Sequence, residues 1–325
     1  MSDPSDGPQQ MDVNATPRFA GVATLLRAAQ RPTADGLDVA LCGVPFDGGS
    51  SFRTGARHGP AQMREMSRLI RQAHYASKVA PFEIGAIADV GDAPVNPLDA
   101  DDSLESVREF IATIRDAGAR PLIAGGDHTV TLPILRALAS SGPLGLLQLD
   151  AQSDTQAAML GQQYANGTPI RRAIEEQLVD PTRVVQVGIR GTLFAADELD
   201  WAIAQGVTII TIDEFYDLGI DAVVAQTLKT LGAGPAYLTV DIDVLDPAFA
   251  PGTGGLEPGG MTARELQVLI RGMSSLDLVG GDITEVSPPL DPTGITALAA
   301  CSVMFEMLCL MTAPRAAGPD AVATG

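Results

Sequence analysis

Residues able to hold a cation or carry a proton fall in four short stretches: GGDH at 125–128, LDAQSDT at 149–155, VDID at 240–243 and EVSPPLD at 285–291. They supply one imidazole, His128, and among their carboxylates the candidates are Asp150, Asp154, Asp241, Asp243 and Glu285. Gln152 places a neutral amide between two oxygen donors, where a metal-binding loop more naturally carries an imidazole. Four aspartates meeting one histidine repel one another unless divalent cations neutralise them. A pair of cations bridged by shared carboxylates resolves that repulsion and lowers the pKa of a bound water towards neutrality.

For these stretches to meet, the chain has to bring them to one edge of a sheet. Apolar runs at 37–43, 84–90, 121–124, 145–149, 183–188, 207–212, 236–240 and 277–283 read as strands, and helix-length segments separate them. Continuous apolar strands alternating with helices predict an α/β fold of three layers, α/β/α, around a parallel sheet of about eight strands. Helices expected at 129–140 and 262–273 each begin at a threonine able to cap them, the second with Glu265 three residues on. In such a sheet, ligands bind beyond the carboxyl ends of the strands, which is where all four stretches fall.

Composition narrows the function classes. The chain has 325 residues, 46% of them hydrophobic, enough for a large core. With 21 Lys and Arg against 40 Asp and Glu the net charge is −19, which argues against a nucleic-acid partner and suits a cationic ligand. Cys42, Cys301 and Cys309 show no paired spacing and sit in apolar runs, as inert thiols of a reducing compartment do, so a cytoplasmic location is expected. The start of the chain lacks the pattern of a signal peptide and no apolar run approaches membrane-spanning length, so no membrane partner is expected. The domain reading is a mobile arm at 1–17, one domain at 18–312 and a mobile tail at 313–325.

Each stretch also has a plainer reading. GGDH is a turn into a helix capped by Asp127 or Thr129, DIDVLDP a strand end with Asp246 in turn chemistry, and Glu285 a partner for an arginine. The glycines of FDGGSSFRTGARHGP serve tight turns, and Arg53 a surface contact.

GGDHTVTLPIL, LDAQSDT, TVDIDVLDPAFAPGTG and EVSPPLD, in that order, resemble the metal and substrate motifs of the ureohydrolases, the arginase and agmatinase superfamily. The likeness extends from about Pro17 through FDGGSSFRTGARHGP to LDPTGITALAA near 300 and is closest to the agmatinase branch. It implies hydrolysis of a guanidino C–N bond at a centre of two manganese or nickel ions, in trimers or hexamers. His128, Asp150, Asp154 and Asp241 match the first metal position, and Asp150, Asp241 and Asp243 match the second. Asp154 orients the attacking water in that family, and Glu285 matches the residue that recognises the guanidinium.

Two positions depart from the pattern. Gln152 stands where the family has a histidine on the second metal, which leaves one metal or none expected here. Asn166 replaces a histidine that contacts substrate or passes protons, and an amide cannot exchange a proton near neutral pH. The other histidines, His58 and His74, lie outside the motifs, and Gly255 and Leu256 stand where agmatinases usually read Thr and Pro. A foldable scaffold with two lost histidines implies a catalytically impaired subunit that assembles with a complete paralogue. The pattern resembles the non-catalytic partner of two-component, nickel-dependent metformin hydrolases. Two alternatives stand beside it: a self-sufficient hydrolase of agmatine or a guanidino acid with an altered metal site, and a non-enzymatic protein that binds a guanidino ligand.

Overall fold

The computed structural model describes residues 9–12 and 14–314. The strands are β1 (Ala29–Gln30), β2 (Val39–Gly43), β3 (Ile87–Asp92), β4 (Arg120–Ala124), β5 (Leu144–Leu149), β6 (Val179–Ile189), β7 (Thr208–Thr211), β8 (Pro235–Asp241) and β9 (Asp277–Thr284). The helices are α1 (Gly59–Met66), α2 (Pro81–Ile84), α3 (Ala100–Asp116), α4 (Thr131–Leu138), α5 (Pro169–Glu175), α6 (Asp200–Gln205), α7 (Ile212–Leu218), α8 (Ile220–Leu231), α9 (Ala263–Gly272) and α10 (Ile295–Thr312). All the strands lie parallel in one sheet, in the order β1-β3-β2-β4-β9-β8-β5-β6-β7.

Each expected strand is present. The sheet gains a ninth member because Ala29 and Gln30 pair with Ala88 and Asp89 of β3, a two-residue edge too short to leave a period in the sequence. Strand alternation sorts side chains onto two cores: Val39 and Leu41 join one, Ala40 and Cys42 the other. Helices α1 and α7 to α10 cover the first face, and α3 to α6 the second, giving the three layers. Cys42, Cys301 and Cys309 are buried free thiols, and burial pushes the Cys309 thiol up to about 12.

Two helix expectations are corrected. The segment expected as one helix from 129 starts as a 3-10 turn at His128–Val130 before α4, and its cap is Asp127, whose side chain accepts from Thr129 N. The capping box at Thr262 and Glu265 of α9 forms as expected. The expectation that no apolar run approaches 18 residues fails at α10, whose 18 residues are long and apolar enough to cross a membrane. Two thirds of that helix, 67%, is buried inside the fold, where it packs on α1, α9 and β9 as a core helix.

The arm and tail expected to be mobile lie partly outside the described residues, at 1–8, 13 and 315–325. Within them, Gln10 is buried and donates from Nε2 to Leu26 O at 2.7 Å, and Met11 N donates to Arg27 O at 2.8 Å, which docks this segment on the body.

Candidate metal centre

The strands β4, β9, β8 and β5 are consecutive neighbours at the middle of the sheet, and the four chemical stretches leave their carboxyl ends. The loop after β4 runs so close to Phe46 that a Cβ on Gly126 would lie 1.7 Å from Phe46 O, so only glycine fits. That approach lets Asp127 N donate to Phe46 O and turns His128 inward, where it is 1% exposed. Asp127 itself is spent on the neighbouring loops, taking the Ser50 hydroxyl at 3.3 Å. It accepts from Gly49 N at 2.7 Å and from Thr129 N, tying the glycine-rich 47–55 loop to the site, and burial raises its pKa to about 6.

Around the imidazole the carboxylates converge. His128 Nδ1 has Asp154 Oδ2 at 2.8 Å, Asp150 Oδ2 at 3.0 Å and Asp241 Oδ2 at 3.4 Å. All are buried, yet Nδ1 makes no hydrogen bond. A buried ring nitrogen facing three carboxylate oxygens at these distances is the donor arrangement one divalent cation fills. The donor atoms of His128, Asp150 and Asp241 lie within 4.8 Å of one another, which meets the same test. Asp243 is buried near Asp241 and Asp150, whose charges bear on it, and its Oδ1 accepts from Ala151 N at 3.1 Å.

The electrostatics describe a site built for positive charge. Burial raises the Asp154 carboxyl to about 7, with Asp150 adding to the push. Burial likewise lifts Asp241, Asp243 and Glu285, each aided by a neighbouring carboxylate. Burial opposes charge on His128, but the carboxylates outweigh it, Asp154 foremost, and hold the imidazole well above its ordinary range. Groups with raised folded pKa values bind more protons folded than unfolded, so stability falls as pH rises. The chelator-treated chain is therefore expected to lose stability between about pH 4 and 7, the window from the ordinary Asp value of 3.8 to the raised Asp154 value. Mn(II) or Ni(II) at 100 times its Kd should restore about 2.7 kcal/mol. Urea midpoints across that window, with and without cation, measure both effects, and a chain equally stable at both ends would refute the cluster's charge balance.

Backbone strain falls on the same residues. Asp154 and Glu285 sit at φ 53° and 62°, left-handed positions that Glu in particular seldom takes. Glu285 is held there by its N–H on Gly126 O at 2.8 Å, and its Oε1 accepts from His128 N at 3.0 Å and Asn166 Nδ2 at 3.1 Å. The structure thus brings every expected site residue together. Asn166 reaches the carboxylate end of Glu285, and Gln152 lines the cleft beside Asp154 and Gly255.

Gln152 is engaged elsewhere. Its backbone N donates to Asp150 Oδ1 at 2.7 Å and its Nε2 to Gly255 O at 3.3 Å. Gly255 gives it room, since a Cβ there would stand 2.7 Å from Asp243 Oδ2 and 3.1 Å from Gln152 Oε1. The other two histidines lie away from the cluster: His58 is exposed, and His74 pairs with Glu306 of α10 at 3.0 Å. Asp246 keeps its turn role, accepting from Ala248, Gly259 and Gly260 N.

Sequence reasoning missed the polar residues inside the strands. Gln186 Nε2 bridges Gln148 Oε1 and Ser153 O at 2.6 Å each, and Gln148 Nε2 donates to Asp150 Oδ2 at 2.7 Å, bracing the 150–154 loop. Arg190 does the same for the loop after β8, donating to Asp243 O at 2.6 Å and Glu257 O at 2.7 Å. The available signal was a single polar residue interrupting an apolar strand, as in GLLQL and VVQV.

The sequence profile of the arginase family matches residues 37–309. The chain is 49% identical over 308 residues to the guanidinopropionase of Pseudomonas aeruginosa, an alignment covering 94% of this chain and 97% of that one. This chain belongs to the arginase family. The guanidinobutyrase of the same organism is 41% identical over 307 residues, 93% of this chain and 96% of that one. Among solved arginase-family structures, proclavaminate amidinohydrolase from Streptomyces clavuligerus superposes with a TM-score of 0.88 at 40% identity, covering 91% of this chain and 99% of that one. The arginase-family expectation, in its agmatinase-like branch with a three-layer fold, therefore holds. Its relatives hydrolyse guanidino compounds, as their names state.

Proposed function

We propose that this chain is a guanidino-hydrolase subunit, impaired on its own, that works in a hetero-oligomer with a catalytically complete paralogue. The observation carrying this reading is Gln152, whose amide donates to Gly255 O at the place where the second cation would need an imidazole. His128, Asp150, Asp154 and Asp241 would hold one divalent cation, and Asp150, Asp241 and Asp243 would offer a weaker place for a second. When bound, such cations supply Lewis acidity for hydrolysis. The chain's own residues do the recognition. The Glu285 carboxylate suits the N–H groups of a guanidinium, and its hydrogen bonds to His128 N and Asn166 hold it in place. Asn166 donates from Nδ2 and leaves a buried Oδ1 without a partner, an acceptor for a substrate N–H. It binds and orients but moves no proton, and with Gln152 this leaves turnover to the partner subunit.

The substrate class is a guanidino or biguanide cation. Net charge −19 favours a cation, and metformin is the specific biguanide we propose, on the pattern of losses at Gln152 and Asn166.

The test is to purify the chain alone and with the complete paralogue, then measure ions per chain and hydrolysis of 3-guanidinopropionate, 4-guanidinobutyrate, agmatine and metformin. Fewer than two ions per chain, with turnover only in the mixture, is expected. Two ions per chain with turnover alone would establish a self-sufficient hydrolase instead. Tight guanidino binding without metal and without effect on the paralogue would establish a binding protein.

A further inference from the structure

Beneath His128 lies a buried polar chain made of residues outside the expected cation donors. His128 Nε2 is 2.8 Å from Thr239 Oγ1, and Thr239 Oγ1 is 2.5 Å from Asp282 Oδ1. Asp282 Oδ2 receives two more hydroxyls, from Thr131 at 2.7 Å and Tyr237 at 2.9 Å. Asp282, Thr239, Tyr237 and Thr131 are all fully buried. Neighbouring strands set the spacing: Thr239 of β8 is in register with Asp282 of β9, so the two side chains rise side by side on one face of the sheet.

With Asp282 ionised, the directions of its hydrogen bonds follow. A carboxylate holding three hydroxyl groups accepts from all of them, so the Thr239 proton points at Asp282. Thr239 Oγ1 then has only lone pairs left for His128, and the proton between them belongs to Nε2. With Nε2 carrying the proton, the lone pair of the neutral imidazole is on Nδ1, the nitrogen that faces Asp150, Asp154 and Asp241. Reversing one donor would put the lone pair on the wrong side of the ring.

We propose that Asp282, acting through Thr239, is a positioning unit that holds His128 in the tautomer and ring orientation able to bind a divalent cation through Nδ1. This rests on the reading of His128 as a cation donor. It explains why a threonine and an aspartate interrupt apolar strands at 0% exposure: an acceptor-only group at the end of the relay sets its polarity. Tyr237 and Thr131 complete the carboxylate's hydrogen bonds and keep it from turning away from Thr239.

The test uses the full chain, stripped with chelator and titrated with Mn(II) or Ni(II) against a chromophoric chelator. Thr239→Val keeps the shape and deletes the relay, and should weaken binding about 10–100-fold. Thr239→Ser restores the hydroxyl and should bind within about threefold of the native chain, a rescue that shape alone would not give. Asp282→Asn should weaken binding as Thr239→Val does; if that variant does not fold, the two Thr239 variants decide. The chain has only three histidines, so nitrogen-15 histidine spectra give a second readout that needs no metal. An Nε2-bound, exchange-protected proton on His128 is expected in the native chain and in Thr239→Ser, and its protection should be lost in Thr239→Val. Unchanged affinity together with a still-protected proton in Thr239→Val would overturn the proposal. A native chain that binds no cation would instead overturn the metal reading, and the histidine spectra would still settle whether Thr239 holds the ring.

Discussion

Gln152→His should bring the chain close to two divalent ions, a gain of at least about 100-fold in affinity at the second position. Groups that only orient a metal-bound ligand are worth about 10–100-fold, so an added imidazole donor is worth no less. The other carboxylates are already in place: Asp150, Asp241 and Asp243 are buried, and Asp243 accepts from Ala151 N in the loop after β5. Gly255 leaves space beside position 152, so the larger ring meets no Cβ there. The cost is small, since the amide it replaces makes only one side-chain hydrogen bond, at 3.3 Å to Gly255 O. Mass spectrometry of metal in protein dialysed against Ni(II) or Mn(II) reads the result. Combining it with Asn166→His adds a proton-exchanging group beside Glu285 and should give measurable guanidino hydrolysis by the chain alone. If the metal content does not rise, position 152 does not belong to the second cation position, and the reason for reading this chain as impaired disappears.

Glu306→Ala should cost about 3–5 kcal/mol of stability without touching the metal centre. Glu306 sits on α10 at 3% exposure and takes Arg271 Nε with both oxygens at 3.1 Å and His74 Nε2 at 3.0 Å. Removing it leaves a guanidinium in a largely apolar layer, and Arg271 Nη2 already lacks a hydrogen-bond partner. Because the Arg271 side chain retains 23% exposure, water relieves part of the loss and the lower end of the range is expected. His74 also accepts from Ser77 N at 3.1 Å, so the 70–80 loop should loosen and become the first site of proteolysis. Urea denaturation gives the cost and limited proteolysis the place. A loss under about 1 kcal/mol would show that the ion pair contributes no more than an exposed one. Metal content should not change, which separates this effect from that of the Thr239 variants.

The clustered His128, Asp150 and Asp241 and the strands that carry them were legible because each stretch couples a short apolar run to a polar turn, a pattern local in sequence. The nine-strand order was not, because β9 enters between β4 and β8 and depends on which edges pair, a choice made by packing. The membrane-length helix shows the same limit. Its composition suits either a bilayer or a protein core, and only its packing on α1, α9 and β9 places it in the core. The cap at Asp127 was visible as one of two candidates, and the loop geometry chose between them.

The sequence by itself determined the chemistry: an imidazole and a set of carboxylates ordered along parallel strands, with amides at Gln152 and Asn166. Residue types and spacing are enough for that, since donors, acceptors and charges are properties of the side chains. Only the tertiary structure decided which nitrogen of His128 faces the carboxylates, that Gln152 turns to Gly255, and that Asp282 stands behind the site through Thr239. Thr239 and Asp282 are 43 residues apart, and only the register of β8 against β9 makes them neighbours. The direction of a buried hydrogen bond depends on every partner around it, and those partners come from strands distant in sequence.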